Sequence, residues 1–498
     1  MRVALCYPPL VYQGRVPVMT QSRIFSFTHS REVRIYPLVM AQAATLLKRD
    51  GFAVAWMDGI AADESPAAWR ARLEAGDPDL VVLETKASLV TRHWEFIRDL
   101  KIRLPRTRVV LAGDHVSYFP KESLRACPVD YVATGGDYDL SVLGIARHLR
   151  GDARSLPGGV WRLEGGRAAS TGAVRQLKDL SSLPWIDRDL TEWWRYGEAY
   201  LHRPVAYILS GRGCGTVKGP GRCTFCIWQY AFWGKRARLR DPGDVAREIA
   251  SLVDRYGVRE VFDDNEAGGM WDLAWLRAFT EELERIGVAG RVMISSNCRA
   301  DSVTPDRVGL MKRAGFRLLK IALESGNDDT LRRIAKDETV EEVVRGVKLA
   351  KDHGFAVMVT TMVGFPWETE FELQRTYDIA RELLLYKAKP GDCLEANIVI
   401  PYPGTPLHRY ILDHGWFAVP PGDYDRYGLS RPVVKAPVDP VLWARRIWGL
   451  HRDPRFLVRS LASVRSWRDL ELAFRGLRSL LGHERDYEPG TEASAPVS

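Results

Sequence analysis

The sequence GRGCGTVKGPGRCTFC at residues 211–226 holds three of the seven cysteines of this 498-residue chain. Eight residues separate Cys214 from Cys223, and two separate Cys223 from Cys226. Five glycines in the same window indicate a loop rather than a core element, because glycine adopts conformations that other residues avoid. The three thiols are therefore candidate metal ligands rather than packing groups.

Two kinds of metal site are compatible with this window. Structural zinc nearly always takes four protein ligands, and no second CxxC or HxxxH follows nearby. Cys298 and His202 are candidate fourth ligands, although neither spacing is diagnostic. An iron–sulfur cluster held by three cysteines leaves one iron free to coordinate a substrate or cofactor. The spacing favours the cluster over zinc.

From residue 205 the sequence alternates strand-like apolar runs with helical periodicity. The predicted strands are VAYILSGRG, REVFDDNE, RVMISSN, RLLKIALESG, AVMVTTMVGFP and ANIVIPYPG. These repeats predict a partial (β/α)6 TIM-type barrel over residues 196–410, short of the eight repeats of a closed barrel. The cysteine window follows the first strand, at the end where such barrels carry their chemistry.

The first 150 residues show a similar alternation, with five predicted strands. Strands separated by helices at this spacing indicate a parallel sheet with helices on both faces, of the flavodoxin/Rossmann-like type. Ligands of such sheets bind at the carboxyl ends of the strands. We therefore predict an α/β domain over residues 1–150 with its ligand site at that edge.

The other segments differ in character. Residues 151–195 suggest a linker with a small hairpin, residues 411–485 a helical C-terminal domain, and residues 486–498 a disordered tail. The net charge of +8 is scattered and comes mostly from arginine, which gives no support for nucleic-acid binding. No run approaches eighteen apolar residues, so we expect no transmembrane segment and a cytoplasmic protein. An odd number of cysteines favours reduced thiols over a disulfide framework.

The cysteine window resembles the cluster loop of the radical S-adenosylmethionine (SAM) enzymes, written CxxxCxxC with an aromatic residue in the second gap. Phe225 occupies the aromatic place. The family has three residues between its first two cysteines, where this chain has eight. The resemblance implies a [4Fe-4S] cluster on Cys214, Cys223 and Cys226, with the extra residues looping out at little entropic cost.

Further segments resemble the strands of that family that surround SAM, in the same order along the chain. They are VFDDNEAGG (261–269), ISSNCRAD (294–301), IALESGND (321–328) and VGFPWET (363–369). The resemblance assigns SAM contacts to Asp263, Asp264, Asn265, Arg299, Glu324, Ser325, Gly364 and Pro366. For the Asp and Asn residues, capping of the following helix is an equally economical role.

Residues 1–150 resemble the cobalamin-binding domain that is fused to one subclass of radical SAM enzymes. The implied cobalamin contacts are Pro9, Thr85, Lys86, Ser88, Gly113, Asp114, His115, Gly135 and Gly136. The DxHxxG motif, whose histidine binds the lower face of cobalamin, is absent after the first strand, as is common in this subclass. A flavodoxin-like domain that binds another nucleotide, or nothing, is the alternative.

Together these resemblances imply a cobalamin-dependent radical SAM methyltransferase. It would methylate an unactivated carbon or phosphorus of a small-molecule or lipid substrate through a 5′-deoxyadenosyl radical and methylcobalamin. Its electrons would come from a reducing partner such as flavodoxin or ferredoxin. The alternatives are a radical rearrangement or oxidative cyclisation without methyl transfer, and a non-catalytic, zinc-stabilised binding module. The sequence does not identify the substrate.

Overall fold

The computed structural model describes residues 1–10, 15–18, 27–30, 32–216, 219–220, 223–234, 236–265, 271–428 and 431–487. The last eleven residues of the predicted tail, 488–498, lie outside this part of the chain.

The N-terminal sheet contains five parallel strands and an antiparallel hairpin at one edge. The strands are β1 (Arg2–Tyr7), β2 (Ala53–Asp58), β3 (Leu80–Thr85), β4 (Arg108–Gly113), β5 (Tyr131–Ala133), β6 (Val160–Glu164) and β7 (Arg167–Ser170). They lie in the order β2-β1-β3-β4-β5-β6-β7, with β1 to β5 parallel. The parallel order 2-1-3-4-5 is that of the flavodoxin-like folds. The fold class predicted for this region is confirmed, and the hairpin predicted in the linker joins the sheet.

Helices cover both faces of this sheet because its strands are apolar on both sides; every residue of β3 is buried. They are α1 (Leu38–Arg49), α2 (Pro66–Gly76), α3 (Val90–Arg103), α4 (Asp114–Tyr118), α5 (Pro120–Ala126) and α6 (Tyr138–Arg150). Ser65 caps the start of α2, and Gly151 ends α6 in the left-handed conformation.

The second sheet contains six parallel strands in sequence order, as the partial barrel predicts. They are β8 (Val205–Ile208), β9 (Glu260–Asp263), β10 (Met293–Cys298), β11 (Phe316–Glu324), β12 (Ala356–Val363) and β13 (Cys393–Ile398). The accompanying helices are α7 (Trp228–Ala231), α8 (Pro242–Tyr256), α9 (Leu273–Arg285), α10 (Pro305–Ala314), α11 (Asp328–Arg333), α12 (Val340–Asp352), α13 (Glu370–Leu385) and α14 (Pro406–Asp413). Capping boxes begin α12 and α13.

Three helices follow the barrel: α15 (Pro440–Gly449), α16 (Pro454–Ala462) and α17 (Trp467–Asp486). Trp443 and Trp448 are buried in the packing of this region, whereas the Trp467 side chain is 80% exposed. Helix α17 extends one residue into the predicted tail, and the following Tyr487 is buried. Asp486 and Tyr487 therefore belong to the folded structure rather than to the predicted tail.

Strands β8 and β13 are the two edges of the partial barrel, and α17 lies across the gap between them. Arg475 on α17 donates to the backbone oxygen of Leu201, just before β8, at 2.8 Å. Tyr487 donates to the backbone oxygen of Ala396 in β13 at 2.6 Å. The last helix therefore bridges both edges and completes the wall of the barrel.

The carboxyl ends of the two sheets face each other. Asp137 lies in the loop after β5 and Asp139 in the first turn of α6, while the segment after β8 supplies Arg212. Arg212 donates to Asp137 at 3.0 Å and to Asp139 at 2.6 Å, and all three side chains are buried. Arg238 adds a second contact to Asp137 at 2.7 Å. This ion-pair network joins the domains beside the strand ends.

None of the helices described is long and apolar enough to cross a lipid bilayer.

Candidate functional site

The eight residues between Cys214 and Cys223 contain a small antiparallel ladder. Gly215 pairs with Pro220, and Thr216 pairs with Gly219. The ladder brings the two ends of the insertion together, so that the insertion can project without separating the cysteines. Residues 217–218 and 221–222 of the predicted loop lie outside the described residues.

Cys214, Cys223 and Cys226 line one cavity of about 240 Å³ inside the barrel. Its polar lining comes from Glu198, Gln229, Asp264, Asn297, Arg299, Lys320, Glu324, Lys336 and Asn397. Among the residues described, no group of three His, Cys, Asp or Glu side chains is arranged to hold a single metal ion. The three thiols nevertheless share one cavity, as the ligands of a cluster with separate irons must.

Burial favours the neutral thiol of Cys223 over its free thiolate. Burial raises the pKa of Cys223 to about 12, although the charges of Lys336 and Arg299 oppose this shift. Gln229 donates to the sulfur of Cys214 at 3.9 Å. A buried thiol becomes a thiolate when a metal replaces its proton, so the site suits metal binding better than free thiolate chemistry.

A wall of paired charges lies beside the cysteine loop. Arg299 binds Asp301 at 2.9 Å and approaches Glu338 at 3.5 Å. Lys336 lies 3.4 Å from Glu324 and 3.6 Å from Glu338. Arg299, Lys336 and Glu324 face the cavity, so this wall presents both signs of charge to a ligand.

Glu324 reaches the cavity through a local distortion of strand β11. Its φ is +61°, in the left-handed region that residues other than glycine rarely adopt. The register between β11 and β12 shifts between Ala322 and Glu324. Strained backbone of this kind costs about 1–3 kcal/mol and clusters at functional sites.

Of Asp263, Asp264 and Asn265 at the end of β9, only Asp264 lines the cavity. It accepts a hydrogen bond from Asn297 at 3.1 Å. Asp263 accepts from the backbone of Ser210 at 2.9 Å, and Asn265 donates to the Ser210 hydroxyl at 3.1 Å. These two fasten the β8 and β9 loops together. Residues 266–269 of the quoted motif are outside the described residues.

Three other residues assigned to SAM are not part of the cavity lining. The Ser325 hydroxyl donates to buried Glu368 at 2.6 Å. Gly364 has a φ of +94°, and a Cβ there would lie 2.8 Å from Pro440. Its lack of a side chain is therefore explained by the approach of α15. Pro366 follows in the same turn, away from the cysteines.

The floor of the cavity contains polar residues that the sequence analysis did not identify. Lys320 donates to the Tyr200 hydroxyl at 3.1 Å, and Glu198 accepts from Tyr207 at 3.1 Å. The Asn397 side-chain oxygen is buried without a hydrogen-bond partner among the described residues. The charges of Glu395 and Glu198 raise the pKa of Lys320 despite its burial. The sequence could have indicated Lys320 and Asn397 only through their positions on β11 and β13, because no motif contains them.

At the edge of the N-terminal sheet, two predicted glycines are explained by close packing. A Cβ on Gly113 would lie 1.9 Å from the Thr85 oxygen, and one on Gly136 would lie 1.9 Å from the Trp233 indole nitrogen. Gly113 also has a φ of +129°. Gly136 thus allows the barrel loop carrying Trp233 to approach this edge.

The other predicted cobalamin contacts fall into two groups. The first group contacts other protein groups. Pro9 packs on Gly59, the Thr85 hydroxyl hydrogen-bonds His93, and Lys86 donates to the Val18 backbone. Asp114 accepts from the His115 backbone, and the Gly135 backbone donates to the Ser117 hydroxyl. Ser88 Oγ and His115 Nδ1 are instead buried without a partner among the described residues, as is Trp233 Nε1.

His115 is held on its other side by the C-terminal region. Its Nε2 lies 2.8 Å from Glu122, which also accepts a hydrogen bond from Tyr424 at 3.1 Å. The Tyr424 ring lies 4.5 Å from the imidazole, edge to face. The side chain is thus fixed within the protein, with only Nδ1 available.

These contacts can be set beside known proteins. Residues 214–380 match the family model described as "Radical SAM superfamily". The chain contains a radical SAM domain. The match begins at Cys214, the first cysteine of the window, and confirms the resemblance seen there.

Relatives extend the similarity of this radical SAM protein beyond the matched domain. It is 26% identical over 80% of its length to an uncharacterized methyltransferase of Pyrococcus horikoshii, covering 83% of that protein. It is 24% identical over 80% of its length to the anaerobic magnesium-protoporphyrin IX monomethyl ester cyclase of Rubrivivax gelatinosus, covering 70% of it.

One solved structure has a similar fold over nearly the whole chain. It is the radical SAM methyltransferase TsrM of Kitasatospora setae, with tryptophan substrate and a SAM analogue bound. The TM-score is 0.68 at 17% sequence identity, over 98% of this chain and 96% of that one. The predicted fold of N-terminal domain, barrel and helical C-terminus is therefore confirmed. The chain has the architecture that its sequence predicts.

Buried Glu84, near the carboxyl end of β3, makes a pH-dependent contribution to the stability of the protein. Glu84 accepts a hydrogen bond from Tyr7, and burial raises its pKa from 4.5 to about 7. A raised folded-state pKa adds stability at low pH, which is lost progressively as the pH rises from about 4.5 to 7. The loss amounts to about 3 kcal/mol, at 1.36 kcal/mol per pKa unit.

We therefore expect the unfolding free energy of the wild type, relative to Glu84→Gln, to fall as the pH rises from 5 to 7. The amide keeps a neutral side chain at every pH, so it removes this titration. Urea unfolding of both proteins across the range measures the difference. A difference that stays constant with pH would contradict the prediction.

Proposed function

We propose that this protein is a cobalamin-dependent radical SAM methyltransferase that acts on an unactivated carbon or phosphorus of a small-molecule or lipid substrate. The observation that carries the proposal is that Cys214, Cys223 and Cys226 all line one cavity of the barrel, while Arg212 joins the barrel to the strand-end edge of a flavodoxin-like sheet. A cluster held by the cysteines and a cobalamin held by the sheet would then lie on opposite sides of one domain interface.

The three cysteines would hold the [4Fe-4S] cluster, and the charged wall beside them would hold SAM. Asp264 and Glu324 suit its amino and ribose groups, because carboxylates accept hydrogen bonds from both. Arg299 and Lys336 suit its carboxylate. Asp263, Asn265 and Ser325 support neighbouring loops through their hydrogen bonds rather than contacting SAM.

The N-terminal edge would hold cobalamin, whose periphery carries amide groups. Three polar atoms there, on Ser88, His115 and Trp233, are buried without partners among the described residues. Buried polar atoms normally find a hydrogen-bond partner, so these atoms fit a polar ligand at this edge. When the groups are bound, cluster and SAM supply the 5′-deoxyadenosyl radical and methylcobalamin supplies the methyl group.

The protein's own work in this reaction is to bind, orient and exclude water. Arg212 and Arg238 both form ion pairs with Asp137 in the loop after β5. These pairs hold the carboxyl ends of the two sheets next to each other. Lys320 and Asn397 on the cavity floor are placed to orient a polar part of the substrate.

The test is anaerobic reconstitution with iron, sulfide and cobalamin, followed by SAM carrying a deuterated methyl group and dithionite as reductant. We expect 5′-deoxyadenosine from the radical step, and S-adenosylhomocysteine with deuterated methylcobalamin from the methyl-transfer step. Omitting cobalamin should abolish S-adenosylhomocysteine and methylcobalamin but leave 5′-deoxyadenosine. An intact cluster without 5′-deoxyadenosine would disprove the radical assignment.

A second function, rearrangement or oxidative cyclisation without methyl transfer, is favoured by the similarity to the Rubrivivax gelatinosus cyclase. The same experiment separates the two functions. Formation of 5′-deoxyadenosine without S-adenosylhomocysteine would support this second function and contradict methyl transfer.

We further propose a cytoplasmic location and a reducing partner of the flavodoxin or ferredoxin type. All seven cysteines are free thiols, which suits a reducing compartment. The reaction consumes electrons, and the proposed cluster must receive them from another protein.

A further inference from the structure

Helix α17 exposes a continuous apolar stripe. Its members recur at spacings of three and four residues, so they lie along one side of the helix. They are Trp467 (80% exposed), Leu470 (42%), Phe474 (61%), Leu477 (54%) and Leu481 (54%). The stripe spans residues 467–481, about 21 Å of helix.

The opposite side of α17 packs against the protein mainly through polar contacts. Arg475 donates to the backbone of Leu201, and the Ser479 hydroxyl lies 3.2 Å from that of Ser30. Asp486 accepts from Thr28 at 2.7 Å. A surface helix of a globular protein normally has the reverse arrangement, with its apolar side buried. The exposed stripe therefore requires an explanation other than core packing.

The neighbouring helix α16 adds to this apolar surface. Leu457, Val458 and Leu461 are 46%, 66% and 60% exposed, while Phe456 on the other side is buried. Only four residues separate the end of α16 from the start of α17. Monomeric proteins rarely expose so many large apolar side chains together unless they contact a partner or a membrane.

The charges around these helices are predominantly positive. Six arginines between residues 455 and 485 are exposed: Arg455, Arg459, Arg465, Arg468, Arg478 and Arg485. Glu471 is the one exposed acidic side chain described in the same range. Arg478 follows Phe474 by four residues and Arg485 follows Leu481 by four, so both arginines lie beside the stripe.

We propose that α16 and α17 dock on the surface of an anionic lipid membrane. Amphipathic helices with Trp, Phe and Leu on one face and arginine beside it lie in the interfacial plane, with the apolar face among the acyl chains. The arginines would contact lipid phosphates. A second copy of the chain fits less well, because pairing the stripes would bring like-charged arginines together.

The test is flotation of the full-length protein with phosphatidylcholine vesicles that either contain or lack phosphatidylglycerol. We expect binding to the anionic vesicles and much weaker binding to the neutral ones. Replacing both Phe474 and Leu477 by Gln should lower the partition coefficient at least about tenfold, since burying each side chain is worth more than that factor. Replacing Arg478 and Arg485 by Gln should lower it about fivefold for each arginine.

Phe371→Gln is the matched control, because Phe371 is 66% exposed on a different helix, α13. It should bind vesicles as the wild type does, and circular dichroism should show that all variants are folded. Failure of the wild type to float with anionic vesicles would overturn the proposal. An equal loss of vesicle binding in the Phe371 variant would also overturn it. The same holds if the wild type sediments as a dimer and the Phe474/Leu477 variant as a monomer.

Discussion

Replacing Cys223 or Cys226 by alanine should reduce bound iron and sulfide to background and abolish reductive cleavage of SAM. Both thiols are buried and line the cavity, and the backbone of Thr224 between them bonds Ile334 at 2.9 Å. No exposed thiol can take their place in such a fixed loop. Iron and sulfide analysis of anaerobically reconstituted protein, with assay of 5′-deoxyadenosine, measures the effect.

Two other cysteines sharpen this experiment. Cys214→Ala tests whether the ladder in the insertion still presents a ligand, and we expect the same loss. Cys298→Ala is the control, because Cys298 lines the same cavity but its sulfur lies 3.2 Å from the Ser302 hydroxyl. It should keep its iron. Loss of iron from the Cys298 variant would indicate a site with four thiolates and contradict a free iron for SAM.

Arg212→Met should destabilise the protein by about 3–5 kcal/mol, the range for breaking a buried ion pair by removing one partner. The substitution leaves the carboxylate of Asp139 buried and without its main partner. Arg238 compensates only at Asp137. Denaturant unfolding, followed by tryptophan fluorescence, measures the loss.

The matched control is Arg247→Met, since Arg247 is half exposed and its carboxylate partners lie 3.8 Å and 3.9 Å away. Exposed pairs of this kind contribute about 0–1 kcal/mol. Adding Asp139→Leu to the Arg212 variant should recover part of the stability, because the unpaired carboxylate is removed. Equal effects of the Arg212 and Arg247 substitutions would contradict a buried ion-pair network between the domains.

The fold could be predicted from the sequence because its pattern is local. Buried strands such as β3 are apolar throughout, and strands separated by helices indicate parallel sheets. The contacts made by α17 could not be predicted in this way. Apart from Leu472, its buried side is mostly polar, and its exposed side is apolar, so hydrophobic periodicity gives the wrong orientation. Packing between Ser30 and Ser479, 449 residues apart, decides it.

The candidate site could be predicted in part. The cysteines were found because their spacing reflects a ligand geometry, and Glu324 because its strand resembles a known one. The motif at 263–265 did not reveal which side chain faces the cavity, since neighbouring residues on a strand point to opposite faces. Lys336 was missed because it follows a short helix and enters the site only through its pairs with Glu324 and Glu338.

The bridge that α17 makes between the barrel edges bears on how the protein is synthesised. Residues 467–487 leave the ribosome long after β8 and well after β13. Until they do, the contacts at Leu201 and Ala396 cannot form, and the side of the barrel between these edges has no cover from this helix. The interior that contains the three cysteines is therefore enclosed late in synthesis, and metal delivery during translation would find it still open.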